Sequence, residues 1–95
     1  MGKTFSEKAL GKNVGREVTA GEIIQASPDL CMSHDNSAAI SGTFKKLGVD
    51  EVRYPDRIAI VLDHCVPAAG AKYAQNHKTV REFVAEQGIS RFHDI

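Results

Sequence analysis

The chain has 95 residues, 42% hydrophobic and 25% charged, and its 12 Lys+Arg balance its 12 Asp+Glu. One small folded domain is the most this length allows, and zero formal charge excludes a basic nucleic-acid binder or an acidic tail. No apolar run approaches the roughly 18–20 residues that span a bilayer. The polar start MGKTFSEKALGKN has no secretory apolar core. Two cysteines are too few to staple a secreted fold, so a soluble, cytoplasmic protein is expected.

In chain order, Thr4-Phe5-Ser6-Glu7 has the form of a capping box and predicts a helix through Leu10 that stops at Gly11. Lys12 to Thr19 reads as a connection. Apolar residues resume at Ile23 and Ile24, and Pro28 precedes Leu30-Cys31-Met32, which predicts a strand over 29–34. Ile40, Phe44 and Leu47 stand at helical spacing, with Asp35 or Asn36 available as a cap and Gly48 as a stop. Val49 to Arg53 reads as a short edge strand closed by Pro55. Ile58-Ala59-Ile60-Val61-Leu62 is a continuous apolar run suited to a strand covered on both faces. Tyr73, His77, Val80 and Val84 form a second helical stripe ended by Gly88. Ile89, Phe92 and Ile95 make a last short apolar stretch. Strands alternating with amphipathic helices predict an α/β fold, a mostly parallel sheet with flanking helices.

Chemistry concentrates at two strand ends. Ser33-His34-Asp35 closes one predicted strand and Asp63-His64 closes the next long one, each before a helix. Ligands of open α/β sheets bind outside the carboxyl ends of the strands, so both pairs can face one pocket. A carboxylate beside an imidazole orients it and favours its charged form, which suits a proton donor to a leaving oxygen. The plainer readings are a helix cap for Asp35 and solvated loop residues for His34 and His64. Cys31-x-x-His34 with His64-Cys65 also raises a zinc site, but an odd offset along a strand sends Cys31 and His34 to opposite faces. Cys31 is expected as a small buried hydrophobe and Cys65 as packing. His77, on an apolar stripe, reads as a partly buried core or interface group. His93, beside Asp94 near the terminus, falls where fraying disfavours a site. No glycine-rich phosphate loop and no nucleophile elbow occurs.

Met32-Ser33-His34-Asp35-Asn36, Leu62-Asp63-His64-Cys65-Val66-Pro67-Ala68 and Gln75-Asn76-His77 resemble the start of an aconitase-family large subunit of the 3-isopropylmalate dehydratase type. Gly15-Arg16-Glu17-Val18-x-x-Gly21-Glu22-Ile23-Ile24 and Glu82-Phe83-x-x-Glu86-Gln87-Gly88-Ile89 extend the resemblance over essentially the whole chain. It implies the first part of an aconitase-type α/β/α domain and a hydro-lyase that dehydrates and rehydrates a hydroxy acid, moving the hydroxyl, as in leucine biosynthesis. By the same resemblance Asp63 and His64 are catalytic residues, and His34 and Asp35 contact the substrate. Aconitases proper carry glutamine where His34 stands, which favours the isopropylmalate or the homoaconitase branch. The resemblance further implies a [4Fe–4S] cluster in the complete subunit, with ligands outside this chain and none bound by these residues. The implied partners are the remaining large-subunit domains, a small subunit and a small hydroxy-acid substrate, with neither nucleic acid nor membrane. Residues 1–95 then form a single partial domain, inactive alone, because the family's Gly-x-Gly-x-x-His-Gln segment would follow Ile95. An alternative from another class is a non-enzymatic α/β interaction module, whose exposed apolar faces would drive association.

Overall fold

A computed structural model describes residues 2–95. The first helix, α1 (Phe5–Val14), begins with the expected capping box: the Glu7 amide donates to Thr4 Oγ1 at 3.2 Å and the Thr4 amide to Glu7 Oε1 at 2.9 Å. It runs past Gly11 and ends at Gly15, whose φ of 75° supplies the left-handed cap. Gly11 has a different use. The chain folds back over it so closely that a Cβ there would meet the Arg16 carbonyl oxygen at 2.8 Å. Helix α1 contributes no buried residue. The segment after it is tied down by polar contacts, among them Asn13 bonded both ways to the Ser27 backbone at 2.7 and 3.0 Å.

Three short strands, β1 (Cys31–Ser33), β2 (Ile58–Val61) and β3 (Arg91–His93), form a parallel sheet in the order β1-β2-β3. This is the expected α/β arrangement, with the apolar run Ile58–Leu62 at its centre. The helices α2 (Ser37–Lys46) and α3 (Ala71–Gln87) connect the strands and pack on each other. The core joins Ile60 and Leu62 to Val80, Phe83, Val84 and Ile89, with Phe44 of α2 edge-on to Phe83 at 5.9 Å. Gly48 and Gly88 adopt the positive φ that stops a helix, 75° and 65°. Among the described residues, no helix is long and apolar enough to cross a membrane.

Four further expectations need correction. Val49 to Arg53 is not an edge strand. Its backbone is satisfied by the Gln87 side chain instead, which accepts from the Val52 amide at 2.7 Å and donates to the Asp50 carbonyl at 2.9 Å. Helix α2 does not bury Ile40 and Leu47, which are 54% and 71% exposed. Ser37 and Ser41 are the buried residues, and their hydroxyls are satisfied by the His34 and Ala38 carbonyls at 2.6 and 2.7 Å. Tyr73, expected on the buried stripe of α3, is exposed at its first turn. Cys31 is exposed too, because β1 lies at the sheet edge and pairs only with β2.

Candidate functional site

Parallel pairing of β1 with β2 brings their carboxyl ends side by side, Ser33 opposite Ile60. The turns that follow therefore leave the same edge of the sheet. Residues 34–36 link β1 to α2, and residues 62–70 link β2 to α3. The first turn is tightened by the Ser37 amide and hydroxyl, both donating to the His34 carbonyl at 2.8 and 2.6 Å. The second is long, and its shape is set from outside itself.

That outside element is Asp35. Its Oδ1 accepts from the backbone amides of Asp63 and His64 at 3.0 and 3.1 Å, and its Oδ2 accepts from the Cys65 amide at 2.9 Å. Oδ2 also meets His77 Nε2 at 3.1 Å, with both side chains buried. A lone pair aimed at a carboxylate would be repelled, so Nε2 of His77 carries the proton and donates. Burial opposes the Asp35 charge, but the amides of Cys65, His64 and Asp63 with the His77 ring outweigh it and hold the carboxyl well below its ordinary value. Asp35 is thus a buried anion, 8% exposed.

The other three side chains gather above it. The His34 and His64 rings stack with centroids 4.0 Å apart and planes 12° from parallel. His64 Nδ1 lies 2.6 Å from Asp63 Oδ1, and both side chains are more than half exposed. The carboxylate sets the tautomer by accepting from Nδ1–H, which leaves Nε2 as the outward nitrogen. All four residues singled out from the sequence are therefore brought together, in two layers. His34, Asp63 and His64 face outward, whereas Asp35 faces inward with its oxygens already engaged.

Sequence reasoning gave His77 no functional role. Its burial was expected, since it shares a helical stripe with Val80 and Val84. The available signal was chemical: an imidazole inside an apolar face needs a hydrogen-bond partner.

Among the described residues, one group of three metal-ligating side chains comes together, His34, Asp35 and His64, with ligand atoms within 4.8 Å of one another. An iron–sulfur cluster requires thiolates. Cys31 is exposed on the edge strand, Cys65 is half-buried in the second turn, and neither belongs to that group. This donor set does not fit a [4Fe–4S] cluster.

No protein-family model matches the chain. It is 43% identical over 96 residues to 3-isopropylmalate dehydratase large subunit 1 of Methanopyrus kandleri, covering 100% of this chain and 23% of that relative. The probable 3-isopropylmalate dehydratase large subunit of Methanothermobacter thermautotrophicus is also 43% identical, over 97 residues, with the same coverage. The 3-isopropylmalate dehydratase large subunit of Aquifex aeolicus is 46% identical over 94 residues, covering 97% of this chain and 22% of its own length. The chain thus spans about 23% of the length of the curated relatives it matches. Over 96–100% of its length the chain is 36–46% identical to a stretch, under a quarter, of 3-isopropylmalate dehydratase large subunits, and that is the family it resembles.

Proposed function

We propose that residues 1–95 are the N-terminal, partial domain of a cytoplasmic hydro-lyase that isomerises 2-isopropylmalate to 3-isopropylmalate by dehydration and rehydration in leucine biosynthesis. The observation that carries this reading is the stack of His34 on His64, with Asp63 on His64 Nδ1, at the shared carboxyl edge of β1 and β2. Hydroxide is a poor leaving group, so dehydration needs a proton delivered to the departing oxygen. His64 as an imidazolium keeps Nδ1–H on Asp63 and presents Nε2–H to the substrate hydroxyl. As the C–O bond breaks, that proton leaves with the oxygen as water and the ring becomes neutral. In rehydration the neutral Nε2 takes a proton from water as the water oxygen adds to the neighbouring carbon, and the imidazolium is restored. The proton lost from substrate carbon goes to a base supplied from outside these residues, which returns a proton to the other alkene carbon during rehydration.

His34, parallel to His64, contacts the substrate from the other side of the stack. Asp35, expected beside it at the substrate, has its oxygens occupied and serves this reading from beneath. The rest of the large subunit and a small subunit complete the pocket, and the cluster's ligands belong to that remainder. The isolated 95-residue chain is accordingly inactive. The test is His64→Ala in the assembled large and small subunits, with turnover of 2-isopropylmalate as the readout. Loss of a general acid lowers it by roughly 10²–10⁴-fold. Turnover within a few-fold of wild type would remove His64 from the mechanism.

A further inference from the structure

We propose that His77 and Asp35 form the positioning device of this site: the buried imidazole fixes the carboxylate, and the carboxylate grips the three consecutive amides that carry Asp63 and His64. Its catalytic consequence rests on the functional reading above; its geometric content does not.

An ionised carboxylate offers about four lone-pair sites. Asp35 spends them on the amides of Asp63, His64 and Cys65 and on His77 Nε2. Successive N–H groups turned toward one anion make a nest, which defines the backbone path through those residues. The partners come from elements far apart in sequence, 28 to 42 positions away. One side chain therefore ties the β1–α2 turn, the loop after β2 and the second turn of α3 into a single arrangement. His34 immediately precedes Asp35, so the same anchor sets both halves of the ring stack. His77 is the member that a purely structural cap does not require. The three amides alone would satisfy the loop, but without the imidazole one oxygen loses its only side-chain partner and the carboxylate can rotate. Rotation moves the amides, and with them the Asp63–His64 pair. A misplacement of about 1 Å near reacting groups can cost roughly 10²-fold in rate.

The experiment compares His77→Leu, which fills a similar volume without a donor, with His77→Gln, whose amide can donate to Asp35. In the 95-residue chain, hydrogen exchange of the Asp63, His64 and Cys65 amides is measured against that of Ile60 in β2. His77→Leu should speed exchange at the three loop amides by about tenfold, the equivalent of one net hydrogen bond, and leave Ile60 unchanged. In the assembled enzyme the same variant should lower kcat by roughly 10–100-fold, with KM within a few-fold. His77→Gln should recover most of both effects. Equal acceleration at Ile60 and the loop, or a Gln variant no better than Leu, overturns the proposal. Selective acceleration with unchanged kcat upholds the positioning and overturns the catalytic reading of the loop. If His77→Leu does not fold, Asp35→Asn decides the matter: acceleration at residues 63–65 that exceeds the acceleration at Ile60 supports the device, and equal acceleration at both overturns it.

Discussion

The two strand–helix junctions carry the same residue types in opposite order, His34-Asp35 after β1 and Asp63-His64 after β2. Their carboxylates have opposite fates. Asp35 sits in a turn of residues 34–36, buried and bonded to three amides and an imidazole. Asp63 sits in a connection of residues 62–70, more than half exposed, with its hydrogen bond to the neighbouring His64 ring. The short turn has no slack, so its acidic side chain is pressed against the backbone of the neighbouring loop. The long loop has slack and is shaped by that contact. Residue type alone does not assign the role; the density of backbone donors around each carboxylate does.

The sharpest way to break this comparison is the same substitution at both positions. Asp35→Asn places an amide NH₂ among groups that are all donors and leaves a buried imidazole facing it. Removing the buried charge that four donors bond leaves those donors poorly satisfied and costs on the order of 3 kcal/mol, read as a shift in the denaturant midpoint at constant slope. A loss below about 1 kcal/mol would mean that water or a neighbour replaces the carboxylate.

The acid limb of the stability curve gives a second, smaller effect. The Asp35 pKa is depressed in the folded state, so the folded protein binds this proton less readily than the unfolded chain does. Its stabilisation is fully present above the unfolded value near ~3.9 and is lost as pH falls below it. Wild type should therefore lose stability steeply below about pH 4, and Asp35→Asn should show a shallower limb. Part of the slope should remain from Asp94, held at about 2 by Arg81 against the opposing effect of burial. Equal slopes in the two proteins, measured by unfolding at a series of acid pH values, would show that Asp35 does not carry its charge in the fold.

Much of this architecture was legible in the residues, and the failures have physical causes. The apolar run Ile58–Leu62 announced a buried parallel strand, and Gly48 and Gly88 marked helix ends because a left-handed residue is needed there. Helix α2 misled because its buried face is made of Ser37 and Ser41, with Ala38 and Phe44 half-buried beside them, rather than of Ile40 and Leu47. Small residues that let helices approach closely look polar in a hydrophobicity pattern. The segment Val49 to Arg53 has strand-like composition, and only the distant Gln87 side chain shows why its backbone needs no strand partner. At the site, the strand-end rule and the motifs located His34, Asp35, Asp63 and His64 together. They could not separate the outward layer from the inward one. The grip of Asp35 on residues 63–65 and the arrival of His77 from 42 positions away are contacts that no local pattern encodes.

The smallest stability effect is the most telling for function. Asp63→Asn removes a charge from an exposed loop and keeps a side-chain oxygen near His64 Nδ1. Substitutions on such surfaces usually stay within about 0.5 kcal/mol, so the unfolding midpoint should barely move. The chemistry should respond far more than the fold. A neutral amide does not stabilise an imidazolium as a carboxylate does, and it can turn its NH₂ toward the ring and select the wrong tautomer. Turnover of the assembled enzyme should therefore fall by roughly tenfold or more, the equivalent of about 1.5 kcal/mol for one hydrogen bond to a charged group. Parallel losses of stability and rate would make Asp63 a second anchor like Asp35. Rate lost at constant stability would separate the two junctions into the one that holds and the one that reacts.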